Sequence, residues 1–194
     1  MIAAWPGLVS GPAEPLIEDS LVLLDHLGEA RTVIDVGSGG GLPGLPLKLA
    51  RDELALTLVE ADQDKAAFLT SACARLGLND VEVVARRAED AGHDPRYRES
   101  FDLAMARALA PMPVLVELCL PFVRVGGRLL AQKTASEDVA RATGAIELLG
   151  GRLDGVFDAP SALRRDGTVV VVAKLTPTPE DYPRRAGVPA RKPL

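Results

Sequence analysis

Hydrophobic residues fall along the chain in two alternating patterns, separated by glycines and prolines. Short β-branched or aliphatic runs predict buried strands, and longer segments with leucines at three- and four-residue intervals predict helices. The predicted strands span 32–36, 54–59, 81–84, 101–106, 128–131, 156–159 and 168–175. The predicted helices span 16–27, 45–50, 62–76, 113–120 and 136–149. Asp62 is the expected N-cap of the third helix, and Gly77 is its expected stop.

The order of these elements predicts an α/β fold with a mainly parallel sheet. Strands alternate with helices through the first five repeats, which requires crossover connections between parallel neighbours. The last two strands are separated by about eight residues, too few for a crossover helix, so they should pair as an antiparallel hairpin. We therefore expect a seven-stranded sheet that ends in one antiparallel strand. Residues 1–29 are expected to form a lead-in and a helix, 30–181 the main domain, and 182–194 a basic tail.

A glycine-rich loop follows the first predicted strand and precedes a helix. Glycines allow positive φ and let a ligand lie directly against the peptide planes, so this arrangement indicates a nucleotide-type cofactor site. The spacing Gly39-x-Gly41-x-x-Gly44 also fits the dinucleotide fingerprint. However, Pro43 and Pro46 remove amide donors from the helix entrance, where a pyrophosphate would need them. S-adenosylmethionine carries no phosphate, so these residues favour it slightly over NAD.

Glu60 ends the second predicted strand, 21 positions after Gly39. A carboxylate at that strand tip can accept two hydrogen bonds from a ribose diol, although a solvated loop acid is the plainer interpretation. The glycine loop at this spacing favours the ribose contact, which NAD and S-adenosylmethionine would share. The single antiparallel strand favours the methyl donor more clearly, because class I methyltransferases have it and dinucleotide-binding domains generally lack it.

Composition narrows the class of protein further. At 194 residues, with 47% hydrophobic and 25% charged residues, the chain has the composition of one soluble globular domain. No apolar run approaches the ~20 residues that span a bilayer, and no secretory signal is visible, so a cytoplasmic protein without a membrane partner is expected. Cys73 and Cys119 lie in apolar contexts and predict reduced core thiols. His26 and His93 are too few and too separated for a zinc site, so no metal is expected.

The net charge of −5 does not suggest a nucleic-acid-binding protein, but the charge is unevenly distributed. No acid occurs after Asp181, whereas basic residues crowd the last eleven positions. A basic tail is usually only a solvated end, yet it permits local contacts with phosphates. The residues expected to contact RNA, if RNA is a partner, are Lys65, Arg184, Arg185, Arg191 and Lys192.

Several motifs, in this order, resemble the ribosomal RNA small subunit methyltransferase G family, also known as glucose-inhibited division protein B. They are Asp35-Val-Gly-Ser-Gly-Gly-Gly-Leu-Pro-Gly-Leu-Pro-Leu, Leu58-Val-Glu-Ala-Asp-Gln-Asp-Lys-Ala-Ala-Phe-Leu, Arg87-Ala-Glu, Ala106-Arg-Ala-Leu-Ala-Pro and the tail from Tyr182. The similarity covers residues 30 to 194, with the Leu-Pro-Gly-Leu-Pro-Leu and Pro-Arg-Arg segments as its most specific parts. It implies a class I, Rossmann-like fold and transfer of a methyl group from S-adenosylmethionine to N7 of one guanine. The implied partner is 16S rRNA in the small ribosomal subunit.

The resemblance also implies roles for particular residues. Residues similar to the family's cofactor contacts are Asp35, Gly37, Ser38, Gly39, Leu42, Glu60, Ala88, Glu89 and Arg107. Arg107 and Lys133 resemble the residues that orient the base or a nearby phosphate, and we assign them catalytic roles. The plainer alternatives are an ion pair of Arg107 with Glu89 or Asp90, and a solvated Lys133. Because guanine N7 carries a lone pair at neutral pH, no general base is required.

The N-terminal part departs from the family pattern. Asp19-Ser20-Leu21 matches, but Pro15 and Leu16 stand where a basic residue and a histidine are usual, and Asn-Leu-Thr is absent. Thr134 replaces the glycine that commonly follows the lysine at 133. Two alternatives therefore stay open: an NAD-dependent oxidoreductase, and a non-catalytic methyltransferase-fold protein that binds the donor or RNA. A monomer is expected in each case.

Overall fold

A computed structural model describes residues 13–194. The first twelve residues, which include most of the predicted lead-in, lie outside the described part of the chain. The strands are β1 Thr32–Val36, β2 Ala55–Val59, β3 Val81–Val84, β4 Phe101–Arg107, β5 Val123–Thr134, β6 Gly151–Asp158 and β7 Gly167–Lys174. The helices are α1 Ala13–Leu21, α2 Leu24–Leu27, α3 Gly44–Ala50, α4 Gln63–Leu76, α5 Ala88–Ala91, α6 Met112–Cys119, α7 Thr143–Leu148 and α8 Val188–Arg191.

The seven strands form one sheet in the order β3-β2-β1-β4-β5-β7-β6. Strands β1 to β5 pair in parallel, whereas β7 pairs antiparallel with both β5 and β6. The predicted fold class and the predicted hairpin of the last two strands are therefore confirmed. The antiparallel strand is β7, which lies between β5 and β6, and β6 is the edge strand. The order reverses between β1 and β4, and ligands of open α/β sheets bind at such a switch point.

The hydrophobic core consists of two clusters, one on each face of the sheet. Alternate residues of β1 point to opposite faces, so Ile34 belongs to one cluster and Val33 to the other. The first cluster includes the apolar side of α6, and the second includes the buried side of α4. Burial on both faces explains why the central strands are near-continuous hydrophobic runs in the sequence.

Helix α4 has the boundaries that its sequence predicts. The Asp62 carboxylate accepts hydrogen bonds from the amides of Asp64 and Lys65 at 3.0 and 3.1 Å, so it caps the helix. Gly77 ends the helix in the left-handed conformation at φ 64°, where a residue without Cβ is favoured. These caps place the start of α4 directly after the tip of β2, where Glu60 lies.

Two predicted helices are interrupted. The predicted helix 16–27 is divided into α1 and α2, and the Ser20 hydroxyl donates a hydrogen bond back to the Leu16 carbonyl at 2.8 Å, an arrangement that bends helices. The predicted helix 136–149 is a 3₁₀ turn at Val139–Ala142 followed by the short α7. Before this turn, the Glu137 carboxylate accepts a hydrogen bond from the amide of Met112 at 2.9 Å. None of the helices within residues 13–194 is long and apolar enough to cross a membrane.

Candidate active site

A cavity beside the glycine loop lies at the carboxyl ends of β1, β2 and β4. Its volume is about 620 Å³, which suits a nucleoside-sized ligand. Eight of the nine predicted cofactor residues line it, together with Lys65: Gly37, Ser38, Gly39, Leu42, Glu60, Ala88, Glu89 and Arg107. The sequence motifs that are far apart in the chain are thus brought to one place. We refer to this space as the donor cavity.

The backbone of the glycine loop needs residues without a side chain. Gly37, Gly39 and Gly41 have φ values of 73°, 53° and 84°, in the left-handed region that glycine tolerates at least cost. A Cβ on Gly37 would fall 2.5 Å from the Leu109 side chain, so substitution would also reduce the space of the cavity. The peptide planes of the loop therefore form an uncovered floor for a ligand.

The entrance of helix α3 is not built for a pyrophosphate. The Gly44 amide donates to Asp35 Oδ2 at 3.0 Å, and the Leu45 amide donates to the Gly41 carbonyl at 2.8 Å. Pro43 and Pro46 carry no amide proton at all. A dinucleotide would need free amides at this helix terminus. The arrangement fits a donor without phosphate groups.

Glu60 lies at the tip of β2, over the glycine loop. Its carboxylate accepts the Gly39 amide at 2.8 Å and the Asp62 amide at 2.9 Å, one bond on each oxygen. The side chain is largely buried, with 9% exposure. Each carboxylate oxygen can accept a second bond, so a ribose diol in the cavity could be bound without displacing either amide. The geometry agrees with the proposed sugar contact.

Asp35 differs from the other predicted cofactor residues, because it lies beneath the loop and does not line the cavity. It is fully buried, and burial raises the pKa of its carboxyl to about 7, against the lowering effect of the Gly44 amide. Its second oxygen, Oδ1, has no hydrogen-bond partner among the described residues. Asp35 thus supports the loop from below and holds a carboxyl group that titrates near neutrality.

Ala88 and Glu89 form the far wall of the donor cavity, at the start of α5. Glu89 is buried, and its carboxylate accepts the amide of Gly187 at 2.8 Å and the guanidinium of Arg87 at 3.2 Å. Burial would raise the pKa of Glu89, but these hydrogen bonds outweigh it and lower the pKa. Ala88 and Glu89, the residues expected to flank the adenine, therefore lie in a wall that is hydrogen-bonded to the C-terminal segment through Gly187.

A second cavity of about 420 Å³ adjoins the donor cavity. Leu16, Arg107 and Ala108 line both of them, so the two spaces meet at the end of β4. Ala108 has φ 52°, a strained conformation for a residue with a Cβ. Leu16 is the position where the family resemblance leads one to expect a histidine. Lys133 lines only the second cavity, which we call the acceptor cavity.

The ion pairs of Arg107 and Lys133 differ from the alternatives considered for them. Arg107 Nη1 contacts Asp19 Oδ2 at 3.2 Å, and neither Glu89 nor Asp90 is its partner in the described structure, so that alternative is wrong. Lys133 is not a solvated lysine: its side chain is 9% exposed, and Nζ donates to the Ala110 carbonyl and to Glu137 Oε2 at 2.9 Å. Both residues face the acceptor cavity. Their catalytic roles stay predictions.

The residues expected to contact RNA differ in exposure and in their partners. Arg184 is only partly exposed, because its guanidinium makes two bonds of 2.8 and 2.6 Å to the buried Glu117 carboxylate. Arg185, Arg191 and Lys192 are exposed on and beside α8. Lys65 lies at the rim of the donor cavity. Arg185, Arg191 and Lys192 could contact a phosphate without breaking an ion pair to another described residue. For all five residues RNA binding stays a prediction.

Residues that sequence reasoning missed concentrate around the acceptor cavity. They include Asp19, Gln132 and Arg164, which come from α1, β5 and the β6–β7 loop. Asp19 was visible only as part of a matched motif, and no spacing rule relates it to residues 88 and 145 positions away. Within residues 13–194 there is no group of three or more His, Cys, Asp or Glu side chains that could hold a metal ion.

Comparisons with known proteins agree on one family. A family model described as rRNA small subunit methyltransferase G matches residues 13–155. A protein named ribosomal RNA small subunit methyltransferase G from Roseiflexus sp. (strain RS-1) is 48% identical over 179 residues, covering 91% of this chain and 76% of the relative. One of the same name from Pelotomaculum thermopropionicum is 45% identical over 181 residues, covering 91% and 76%.

Solved structures are similar in fold at much lower identity. A SAM-dependent methyltransferase from Aquifex aeolicus superposes with a TM-score of 0.65 at 16% identity, covering 85% of this chain and 94% of that one. At this identity the similarity supports the fold alone. It agrees with the class I arrangement of strands that the sequence predicts.

Proposed function

The chain belongs to the ribosomal RNA small subunit methyltransferase G family, and on that premise we propose that it methylates N7 of a guanine in 16S rRNA with S-adenosylmethionine. The observation that carries this proposal is the junction of two cavities at Arg107. One is floored by the glycine loop and Glu60, and the other is lined by polar side chains that could receive a base. The family model and the relatives confirm the resemblance of the sequence motifs to this family.

The residues of the donor cavity suit S-adenosylmethionine. Glu60 would bind the ribose, Ala88 and Glu89 would flank the adenine, and Gly37 and Gly39 would let the ligand approach the backbone. Bound there, this donor supplies an electrophilic methyl group, which leaves the sulfonium with the bonding electrons remaining on sulfur as the N7 lone pair takes it up. The NAD alternative is disfavoured by the α3 entrance, where Gly44 and Leu45 have committed their amides within the protein.

The contribution of the protein is mainly positioning. Holding two reactants in line can supply on the order of 7–11 kcal/mol of a barrier, and no side chain has to remove a proton from guanine N7. Arg107 borders both cavities, which supports the proposal that it orients the base against the methyl group. Lys133 and Glu137, joined by a 2.9 Å ion pair, would keep the acceptor cavity in shape.

Charge also matters at this junction. The methylated base carries a positive charge, so unpaired cations near N7 would raise the barrier. In the acceptor cavity Asp19 is paired with Arg107 and Arg164, and Glu137 is paired with Lys133. The two carboxylates and the three cations together carry a net charge of only +1.

We propose that the protein acts as a monomer. The RNA partner would be the small ribosomal subunit, and the place of action the cytoplasm. The exposed basic residues Arg185, Arg191 and Lys192 would contact RNA phosphates.

Methylation of ribosomal RNA tests this function directly. Small subunits from a strain that lacks the gene would be incubated with the purified protein and S-adenosylmethionine, and the RNA would be cleaved chemically at 7-methylguanine. We expect one new cleavage position in 16S rRNA that depends on both protein and donor. A protein that binds the donor but produces no cleavage would support the non-catalytic alternative. Stabilisation by NAD and not by S-adenosylmethionine in a thermal-shift assay would support the oxidoreductase.

A further inference from the structure

The acceptor cavity is organised around a buried carboxylate, that of Asp19. This side chain has 0% exposure, although it belongs to an N-terminal helix. Oδ2 accepts Arg107 Nη1 at 3.2 Å, and Oδ1 accepts Arg164 Nε at 2.8 Å and the Ser161 hydroxyl at 2.6 Å. A buried carboxylate is stable only when it is paired and hydrogen-bonded. Asp19 therefore fixes the two guanidinium groups relative to each other.

Two buried polar atoms of residues that line this cavity have no hydrogen-bond partner among residues 13–194. They are Gln132 Oε1, an acceptor, and Arg164 Nη2, a donor. Gln132 is 2% exposed, and its amide group is oriented because its nitrogen donates to the Asp19 carbonyl. Among residues 13–194, only one other buried side-chain atom lacks a partner, Asp35 Oδ1 beneath the glycine loop. Unsatisfied buried groups that cluster in a cavity call for a ligand that completes them.

A guanine base has the matching pattern. Its Watson–Crick edge presents the O6 acceptor next to the N1–H and N2–H₂ donors, whereas adenine presents a donor and an acceptor in the opposite order. N7 must stay uncovered to take up the methyl group, and contacts to the Watson–Crick edge leave that atom free. Enzymes that modify a base read this edge in a pocket that holds the base outside the stack.

Resting on the proposed function, we infer that the acceptor cavity holds the target guanine, that Arg164 and Gln132 recognise its O6 and N1–H, and that Asp19 is the positioning residue that aligns Arg164 with Arg107. The base would enter past Leu163, which is 46% exposed and lines the cavity. N7 would then face Arg107 and the donor cavity. Specificity for guanine and alignment of N7 would thus depend on the same set of contacts.

The chain offers a matched pair of variants to test this. Arg164 and the adjacent Arg165 carry the same charge, but Arg164 lines the cavity and Arg165 is exposed. Most affinity for RNA comes from phosphate contacts, whereas base contacts determine recognition. We expect Arg164→Gln to lower kcat tenfold or more while KM for subunits stays within threefold. Arg165→Gln should leave kcat unchanged and at most raise KM.

Leu163→Trp is a second variant, which would fill the mouth of the cavity from an exposed position without removing a buried contact. It should abolish methyl transfer while the Kd for S-adenosylmethionine, measured by calorimetry, stays within threefold of wild type. Asp19→Asn should lower kcat, and the double variant with Arg164→Gln should be no slower than the slower single variant. Strictly multiplicative effects on kcat would show that Asp19 does not act through Arg164.

The outcomes separate this inference from the function on which it rests. A wild-type protein that binds the donor but methylates no subunit would refute the proposed function. A wild-type enzyme whose Leu163→Trp and Arg164→Gln variants transfer methyl groups at the wild-type rate would refute the base-binding role of this cavity and leave the function intact. Retention of the donor Kd in both variants serves as the check that each is folded.

Discussion

Replacement of Glu60 by glutamine tests the donor cavity at its most specific contact. The carboxylate accepts the amides of Gly39 and Asp62 at 2.8 and 2.9 Å, one on each oxygen. Glutamine has the same length but only one oxygen, so its NH₂ group would face one of these amide donors. Glu60→Gln therefore removes the charge, loses one acceptor and places two donors against each other, with little change in volume.

The size of the effect follows from the hydrogen bonds that a ribose would make. Each bond to a charged group is worth about 1.5–3 kcal/mol, and the ribose diol would make two of them with Glu60. Loss of about 3 kcal/mol, the lower end for the pair, corresponds to roughly a hundredfold increase in Kd. Disturbance of the Gly39 amide would add to this, because that residue belongs to the glycine loop.

Calorimetric titration with S-adenosylmethionine measures the effect, with Glu147→Gln as the control. Glu147 is an exposed glutamate on α7, far from the donor cavity in the chain, and its neutralisation should leave the Kd within twofold. If Glu60→Gln binds the donor within threefold of wild type and remains folded, the ribose contact is wrong. The donor cavity would then need another basis than this carboxylate.

Three further changes probe the loop and the C-terminal segment. The pKa of Asp35 is about 7 in the folded state and 3.8 in the unfolded state. The contribution of Asp35 to the free energy of unfolding is therefore complete below about pH 4 and is lost as the pH rises through 7. Between pH 5 and pH 8 this decline should amount to about 3 kcal/mol in the wild-type protein. Urea unfolding at the two pH values should show that Asp35→Asn removes it, and equal pH slopes in the two proteins would contradict this. Arg184→Ala should lower the free energy of unfolding by about 3–5 kcal/mol, because it leaves Glu117 buried without its ion pair. Arg185→Ala should change the free energy of unfolding by less than about 0.5 kcal/mol. Similar losses in the two variants would show that the ion pair of Arg184 does not stabilise the fold. Gly37→Ala should destabilise the protein by about 1–2 kcal/mol, because residue 37 has a φ of 73°. It should also reduce the thermal shift produced by S-adenosylmethionine. An unchanged thermal shift would show that the loop tolerates a side chain.

The donor cavity could be predicted because its signals are local in sequence. The glycine loop directly follows β1, and Glu60 directly follows β2, so a parallel pairing of the two strands brings their ends together. The caps of α4 at Asp62 and Gly77 are likewise short-range hydrogen bonds. Such features depend on the backbone conformation of a few neighbouring residues, and the sequence reports them well.

The acceptor cavity could not be predicted in the same way. Asp19 meets Arg107 and Arg164 across 88 and 145 positions, and no periodicity or spacing relates them. Helical periodicity also failed around α1, because the buried Asp19 and Ser20 share a face with apolar residues. Burial of a polar side chain is decided by partners that only the tertiary structure supplies.

The C-terminal segment shows why charge counting alone is a weak guide to RNA contacts. Arg98 donates to the carbonyls of Thr178 and Tyr182 at 2.9 and 2.8 Å, and Gly187 donates to Glu89 in the wall of the donor cavity. The segment is thus fastened to the domain along its length, and Arg184 belongs to that attachment. Since its guanidinium is committed to a buried acid, a phosphate could recruit it only by breaking an ion pair. The exposed basic residues of the same segment face no such cost, so they are the ones expected to set the salt dependence of binding to the small subunit.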